Sequence, residues 1–141
     1  MEIVQTLAII KPDAVRNKTA GKILSMIEES GLEIKQAKMV RLTRELAGEF
    51  YAVHKGKPFY EELLDFMSSG PVIVMVLSGE NAIARWRELM GATNPEKAEE
   101  GTVRKLYATS VQWNAVHGSD APETAREELS FFFSGAELIQ K

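Results

Sequence analysis

Residues 114–120, with the sequence Asn-Ala-Val-His-Gly-Ser-Asp, combine the side-chain types best suited to chemistry in this chain. The spacing of Asp120 and Glu123 predicts a capping box, with Asp120 or Ser119 as the N-cap of a following helix. His117 then lies just ahead of a helix N-terminus, where free N–H groups and the helix dipole favour an anionic phosphate. His117 is therefore a candidate phosphate contact, proton shuttle or nucleophile.

A carboxylate on the apolar face of the predicted helix is a second candidate. Ala121, Ala125 and Phe132 share one helical face, and Glu128 lies among them. A carboxylate in an apolar stripe is costly unless it is paired. A carboxylate partner is a common way to fix the tautomer and orientation of a histidine. We therefore expect Glu128 to lie beside His117.

Phosphate chemistry requires cations, and the chain carries a formal net charge of −3, so the positive charge must be concentrated locally. Lys11 directly follows an apolar run at residues 6–10, at the carboxyl end of a predicted buried strand, where open sheets commonly bind ligands. Thr93 and Arg104 lie in a long stretch without periodicity, and long loops of this kind are often functional. A hydroxyl and a guanidinium suit phosphate oxygens.

Aromatic residues flank the Gly-Lys-Pro break at residues 56–58. Tyr51, Phe59 and Tyr60 could stack on a flat ligand such as a nucleobase. The alternative is that these rings belong to the core. His54 has no evident acidic or metal-ligating partner in the sequence, and we interpret it as structural.

Composition limits the class of protein. The 141 residues are 45% hydrophobic and contain no cysteine, which predicts one ordered domain spanning residues 1–141 and no disulfide framework. The start of the chain lacks the pattern of a signal peptide, and no apolar run is long enough to span a bilayer. We expect a soluble, cytoplasmic protein without a membrane partner. The acidic balance and the lack of a basic stripe argue against nucleic acid as a partner.

The predicted elements alternate between strands and helices. Strands are expected at residues 6–10, at residues 33–42 on an edge of the sheet, at residues 72–77 and through His117. Helices are expected at residues 21–30, in a hairpin over residues 44–67, at residues 80–90 and from Ala121. This order predicts an α+β, ferredoxin-like (split βαβ) fold: a four-stranded antiparallel sheet with its surrounding helices on one face and a long loop before the last strand.

Five short motifs are more specific than this order of strands and helices, because they indicate a protein family. They are Thr6-Leu-Ala-Ile-Ile-Lys-Pro-Asp-Ala14, Phe50-Tyr-Ala-Val-His-Lys-Gly-Lys-Pro-Phe59, Gly91-Ala-Thr-Asn-Pro95, Gly101-Thr-Val-Arg104 and Asn114-Ala-Val-His-Gly-Ser-Asp120. The last is highly specific, whereas Lys-Pro-Asp alone is a weak signal. Together they show that the chain resembles the nucleoside diphosphate kinases over essentially its whole length.

The resemblance implies a ping-pong enzyme that passes the γ-phosphate of a nucleoside triphosphate, typically ATP, to a nucleoside diphosphate. It implies that His117 is the nucleophile and carries a phosphohistidine, that Glu128 supports it, and that Ser119 supplies a hydroxyl near it. Phe59 matches the aromatic residue that stacks on the base. The positions that match the family's phosphate and ribose contacts are Lys11, Tyr51, Arg87, Thr93, Arg104 and Asn114.

The resemblance also suggests partners and leaves two alternatives. Mg²⁺ is expected to arrive bridging the nucleotide phosphates, with no metal held by the protein alone. The family forms tetramers or hexamers built from dimers, and the edge strand at residues 33–42 could supply the pairing. One alternative is a domain that binds nucleotide without turnover and needs no nucleophile. The other is a nucleic-acid-binding protein, because this fold also hosts RNA-binding domains.

Overall fold

The computed structural model describes residues 3–138, which form a four-stranded antiparallel sheet with helices around it. The strands are β1 (Ile3–Ile10), β2 (Glu33–Val40), β3 (Val72–Glu80) and β4 (Val116–Gly118), in the spatial order β2-β3-β1-β4. The helices are α1 (Pro12–Arg16), α2 (Ala20–Glu29), α3 (Arg44–Phe50), α4 (Tyr60–Met67), α5 (Ala82–Met90), α6 (Val103–Tyr107), α7 (Pro122–Phe132) and α8 (Gly135–Leu138). The predicted fold class is confirmed, and β2 lies at an edge of the sheet as expected.

Helices cover both faces of the sheet, so the expectation of a single helical layer was wrong. In β1, Ala8 and Ile10 pack in a cluster with residues of α2 and α5, whereas Leu7 and Ile9 pack with residues of α3, α4 and α7. Side chains along a strand alternate between the two faces. Because β1 and β3 are apolar on both faces, each face must be covered to keep water from it.

The short strand β4 sets the position of His117. It pairs antiparallel with the end of β1, so that His117 lies opposite Ile9 and Val116 lies opposite Ile10. Lys11 is the next residue of the chain after β1. The carboxyl end of β1 therefore brings the lysine motif and the histidine motif together, although more than 100 residues of sequence separate them.

The N-cap of helix α7 lies one residue after the predicted cap, Asp120. Its N-cap is Ala121, in an extended conformation and without a side-chain capping bond, and Pro122 occupies the first turn as expected. The predicted capping box of Asp120 and Glu123 was therefore wrong. Ser119 is also not the N-cap, because it is fully buried and its hydroxyl donates to Glu128.

The predicted long loop between residues 91 and 113 is interrupted by α6. Thr102 caps this helix by accepting a hydrogen bond from the Lys105 N–H at 3.3 Å. Arg104 lies on α6, and so it belongs to a short helix and not to the irregular loop predicted from the sequence. Within residues 3–138, no helix combines the length and the apolar character needed to cross a membrane.

Candidate active site

A carboxylate from α7 holds the His117 ring. Nε2 of His117 lies 3.0 Å from Oε1 of Glu128, and Ser119 Oγ donates to the same oxygen at 2.8 Å. The His117 and Glu128 side chains are only 20% and 16% exposed. An ionised carboxylate accepts hydrogen bonds and cannot donate them, so the neutral imidazole carries its proton on Nε2 and keeps the lone pair on Nδ1. This geometry suits a nucleophile or a base. Glu128 is also the partner of His117 that the spacing along α7 predicts.

Two buried side chains bind the backbone around His117. Trp86 Nε1 donates to the His117 carbonyl at 3.1 Å, and Arg104 Nη2 donates to the Val116 carbonyl at 2.8 Å. Gly118 permits the contact with Trp86, because a Cβ there would lie 2.5 Å from the indole Cδ1. No motif pointed to Trp86. The one feature that could have indicated its role is that the N–H of a buried tryptophan requires a hydrogen-bond acceptor.

Lys11 is a buried cation at the end of β1. Its Nζ donates to Oδ1 of Asn114 at 2.9 Å, and the residue is only 8% exposed. The pKa of Lys11 is lowered from 10.5 to about 8, first by burial and then by the charge of Arg104, while the charge of Asp13 opposes the shift. Near neutral pH the ammonium therefore remains charged in a poorly solvated place, where an anionic group would be a favourable partner.

The Arg104 guanidinium is fixed by three backbone carbonyls. Nε donates to Asn114 at 3.3 Å, Nη1 to Gly91 at 3.0 Å and Nη2 to Val116 at 2.8 Å. A guanidinium has five N–H donors, so two remain for a ligand. Burial, and then the positive charge of Arg87, lower the pKa of Arg104 to about 10, which leaves it protonated at neutral pH.

Arg87 and Thr93 complete the polar side of the site. Arg87 is exposed on α5, close enough to Arg104 for their charges to interact. The exposed Thr93 lies on the loop after α5, and its carbonyl accepts a hydrogen bond of 3.4 Å from Asn114 Nδ2. Asn114 therefore links this loop to Lys11. The structure thus connects Arg87 to Arg104 through their charges, and the Thr93 backbone to Lys11 through Asn114.

Aromatic rings from the end of α3 and from the segment between α3 and α4 extend away from His117. The Phe50 and Tyr51 ring centroids lie 5.5 Å and 6.2 Å from that of His117, both with edge-on geometry. His54 stacks on Tyr51 at 6.2 Å and lies 5.4 Å from Phe59, which is 45% exposed. His54, interpreted as structural from the sequence, and Phe50 thus belong to the row that joins the nucleophile candidate to the open ring of Phe59.

The Tyr51 hydroxyl is buried and has no hydrogen-bond partner within the part of the chain that the structure describes. Burial, followed by the negative charge of Glu128, raises the pKa of Tyr51. The phenol therefore stays protonated at neutral pH. A buried phenol without a partner has an unused donor, which an anionic ligand entering the site could satisfy.

Known proteins similar to this chain identify its family. A family model described as nucleoside diphosphate kinase matches residues 4–138. The chain belongs to the nucleoside diphosphate kinase family. Among its relatives, a nucleoside diphosphate kinase from Persephonella marina is 56% identical over 140 residues, covering 99% of this chain and all of that protein. One from Brucella canis is 55% identical over 139 residues, with 99% of both chains covered.

Solved nucleoside diphosphate kinases have the same fold. The Aquifex aeolicus structure superposes with a TM-score of 0.93 at 47% identity, covering 96% of this chain and 99% of that one. The Halobacterium salinarum structure, solved in complex with CDP, gives 0.94 at 37% identity, covering 99% and 93%. The ferredoxin-like fold and the resemblance to nucleoside diphosphate kinases are both confirmed.

Membership of the nucleoside diphosphate kinase family makes this protein a phosphotransferase that moves a phosphate from a nucleoside triphosphate to a nucleoside diphosphate. The predicted enzyme class is confirmed, in preference to a domain that binds nucleotide without turnover. Among residues 3–138, no group of three or more His, Asp or Glu side chains is arranged to hold a metal ion.

Proposed function

We propose that His117 carries the phosphoryl group between the two half-reactions. The lone pair on Nδ1 attacks the γ-phosphorus of the triphosphate, the bond from that phosphorus to the β-γ bridging oxygen breaks, and the nucleoside diphosphate leaves. In the second half-reaction a terminal oxygen of the acceptor diphosphate attacks the phosphorus, and the P–N bond breaks. The observation that supports this is the Nε2 contact with Glu128, which leaves Nδ1 as the nitrogen with a lone pair.

In this proposal Glu128 compensates the positive charge that the ring gains on phosphorylation. When Nδ1 bonds to phosphorus while Nε2 keeps its proton, the imidazole becomes cationic, and the carboxylate at 3.0 Å stabilises it. Ser119 donates to the same oxygen and holds the carboxylate in place. Ser119 would therefore act indirectly: it contacts Glu128, and Glu128 contacts the His117 ring.

The nucleotide would bind between the cations and the aromatic row. Phosphoryl transfer places charge on the equatorial phosphate oxygens, and Lys11, Arg87 and Arg104 would stabilise it. Hydroxyl and amide contacts to phosphate and ribose would come from Tyr51, Thr93 and Asn114. The exposed ring of Phe59 would stack on the base. Stacking suits every base, so we expect weak discrimination among nucleotides.

Mg²⁺ would reach the site bound to the nucleotide phosphates. Magnesium usually binds through substrate phosphates, retained waters and one or two carboxylates. Bound in this way, it would supply charge neutralisation of the phosphates. The residues of this chain would still position the nucleotide and the His117 ring.

We also propose that residues 1–141 act as one domain within a homo-oligomer, a tetramer or a hexamer built from dimers. The family model covers residues 4–138, which supports a single domain. The position of β2 at an edge of the described sheet supports dimer formation, because an edge strand can pair with that of a second copy. A cytoplasmic location and the lack of a nucleic-acid partner stay predictions.

The Glu128→Gln variant should slow transfer while nucleotide affinity stays nearly unchanged. Glutamine is close in size but neutral, so it cannot compensate the phosphorylated ring. Hydrogen bonds to charged groups contribute about 1.5–3 kcal/mol, which corresponds to a rate loss of about 10- to 100-fold. Single-turnover phosphorylation and ADP binding should be measured in parallel, with exposed Glu127→Gln as the matched control. Equal losses of rate and affinity in Glu128→Gln would mean that Glu128 is only structural.

Lys11 should produce an alkaline limb in the pH profile. Because burial lowers its pKa to about 8, the free enzyme loses this positive charge as the pH rises through that value. Phosphate binding requires the protonated form, so kcat/KM should decrease above about pH 8. In Lys11→Arg the group stays protonated, and this limb should disappear even if the overall rate is lower. Persistence of the same limb in Lys11→Arg would assign it to another group.

A further inference from the structure

The backbone makes an unusual turn two residues before His117. Ala115 has a φ of +75°, and the Val116 N–H donates to the Asn114 carbonyl at 2.9 Å. A three-residue turn of this kind with positive φ is rare and strained for any residue other than glycine. Such conformations persist only where the surrounding structure enforces them, and they concentrate at functional sites.

The Asp13 carboxylate is the side chain that binds the central residue of this turn. Its Oδ2 accepts a hydrogen bond from the Ala115 N–H at 3.1 Å, and the Lys11 N–H donates to the Ala115 carbonyl at 2.8 Å. Asp13 lies on α1 and is only 3% exposed. Both polar groups of Ala115 are therefore fixed by the segment that follows β1.

Burying this carboxylate is costly, which indicates that its position has a use. Asp13 has lost most of its hydration, and burial raises its pKa as the largest effect. The residue is not among the groups assigned above to the nucleotide or to the His117 ring. Its hydrogen bond acts on the backbone of the segment that leads to the nucleophile.

We propose that Asp13 is a positioning residue that clamps Ala115 in its strained turn and thereby sets the direction in which His117 points. The proposal rests on the proposed role of His117 as nucleophile. Arg104 and Trp86 fix the carbonyls of Val116 and His117, and Asp13 fixes the N–H that precedes them. Small errors in the direction of a nucleophile slow the reaction strongly, because the reacting atoms must be aligned.

Two substitutions of Asp13 should have different effects if its hydrogen bond to Ala115 positions His117. Asp13→Asn keeps an oxygen that accepts the Ala115 N–H, so His117 phosphorylation in a single turnover with ATP should stay within about threefold of the natural chain. Asp13→Ala removes the acceptor and should slow the same step by about tenfold or more. ADP affinity should change equally in Asp13→Asn and Asp13→Ala, because both variants remove the negative charge that raises the pKa of Lys11, whereas only Asp13→Ala removes the hydrogen-bond acceptor.

Glycine at position 115 should rescue the defect. Glycine adopts positive φ without strain. In the Ala115→Gly variant the turn should therefore depend less on the hydrogen bond from Ala115 to Asp13. The Asp13→Ala effect should therefore decrease to about threefold or less when Ala115→Gly is also present. If Asp13→Ala alone does not fold, the single-turnover rates of Ala115→Gly and of the double variant can still be compared. A tenfold difference between these two rates would contradict the proposed role of Asp13.

Other outcomes separate the clamp from competing explanations. Equal slowing in Asp13→Asn and Asp13→Ala would show that the negative charge near Lys11 matters and the hydrogen bond does not. An undiminished Asp13→Ala defect in the Ala115→Gly background would show that the strained turn is not involved. These failures are distinct from failure of the proposed function, in which the natural chain itself would form no phosphohistidine at His117.

Discussion

Alanine in place of His117 should reduce phosphotransfer by at least about 10⁴-fold, because loss of a nucleophile leaves only the contribution of binding and electrostatics. Nucleotide affinity should change little, since the cations and the aromatic row remain. The measurement is steady-state transfer from ATP to a second nucleoside diphosphate, together with ADP binding by calorimetry. A His117→Ala variant that binds ADP normally and does not turn over would separate the chemistry from the folding of the site.

The chain provides its own matched control for this experiment. It contains only two histidines, and the second, His54, lies in the aromatic row between Tyr51 and Phe59. His54→Ala should change nucleotide affinity more than the phosphorylation step. If His54→Ala abolished transfer and His117→Ala retained it, the nucleophile would have to be reassigned.

Methionine in place of Lys11 should lower the rate of transfer by about 10²- to 10³-fold, which is the usual effect of removing one group that stabilises transition-state charge. Lys11 is already in place through its 2.9 Å bond to Asn114, so its charge needs little reorganisation during the reaction. The measurement is the single-turnover phosphorylation rate, and Lys22→Met, at an exposed position on α2, is the control. A change in KM alone, with kcat unchanged, would restrict Lys11 to ground-state binding.

The cations of the site are held before any nucleotide arrives. Three carbonyls fix Arg104, and Asn114 fixes Lys11. Fixed charges in a poorly hydrated site stabilise a developing charge more effectively than mobile ones, because they do not have to reorient. Arg87 and Phe59 are exposed by comparison, and they suit the parts of the nucleotide that must bind and leave in each cycle.

Local spacing was enough to predict the pairing of His117 with Glu128. An offset of seven residues in the helix placed Glu128 on the apolar face, and burial of a carboxylate there required a nearby partner. The strand containing residues 6–10 was equally clear, because its apolar residues are continuous. The family motifs indicated the remaining site residues, and their contacts with a nucleotide stay predictions.

Long-range backbone contacts could not be predicted from the sequence. The bond from Asp13 to Ala115 joins positions 102 apart, and the bond from Trp86 to His117 joins positions 31 apart. No periodicity encodes either contact, because each depends on how the strands pair in three dimensions. Ser119 does not cap α7 for a different, local reason: its hydroxyl donates to Glu128, nine residues later in the chain.

The most direct test of the central claim is to incubate the protein with γ-labelled ATP and no acceptor, and then to locate the label. We predict one acid-labile, alkali-stable phosphoryl group on His117, which is absent in His117→Ala and transfers to any added nucleoside diphosphate. No label on an active natural chain, or the same label on His117→Ala, would contradict a phosphohistidine at this position.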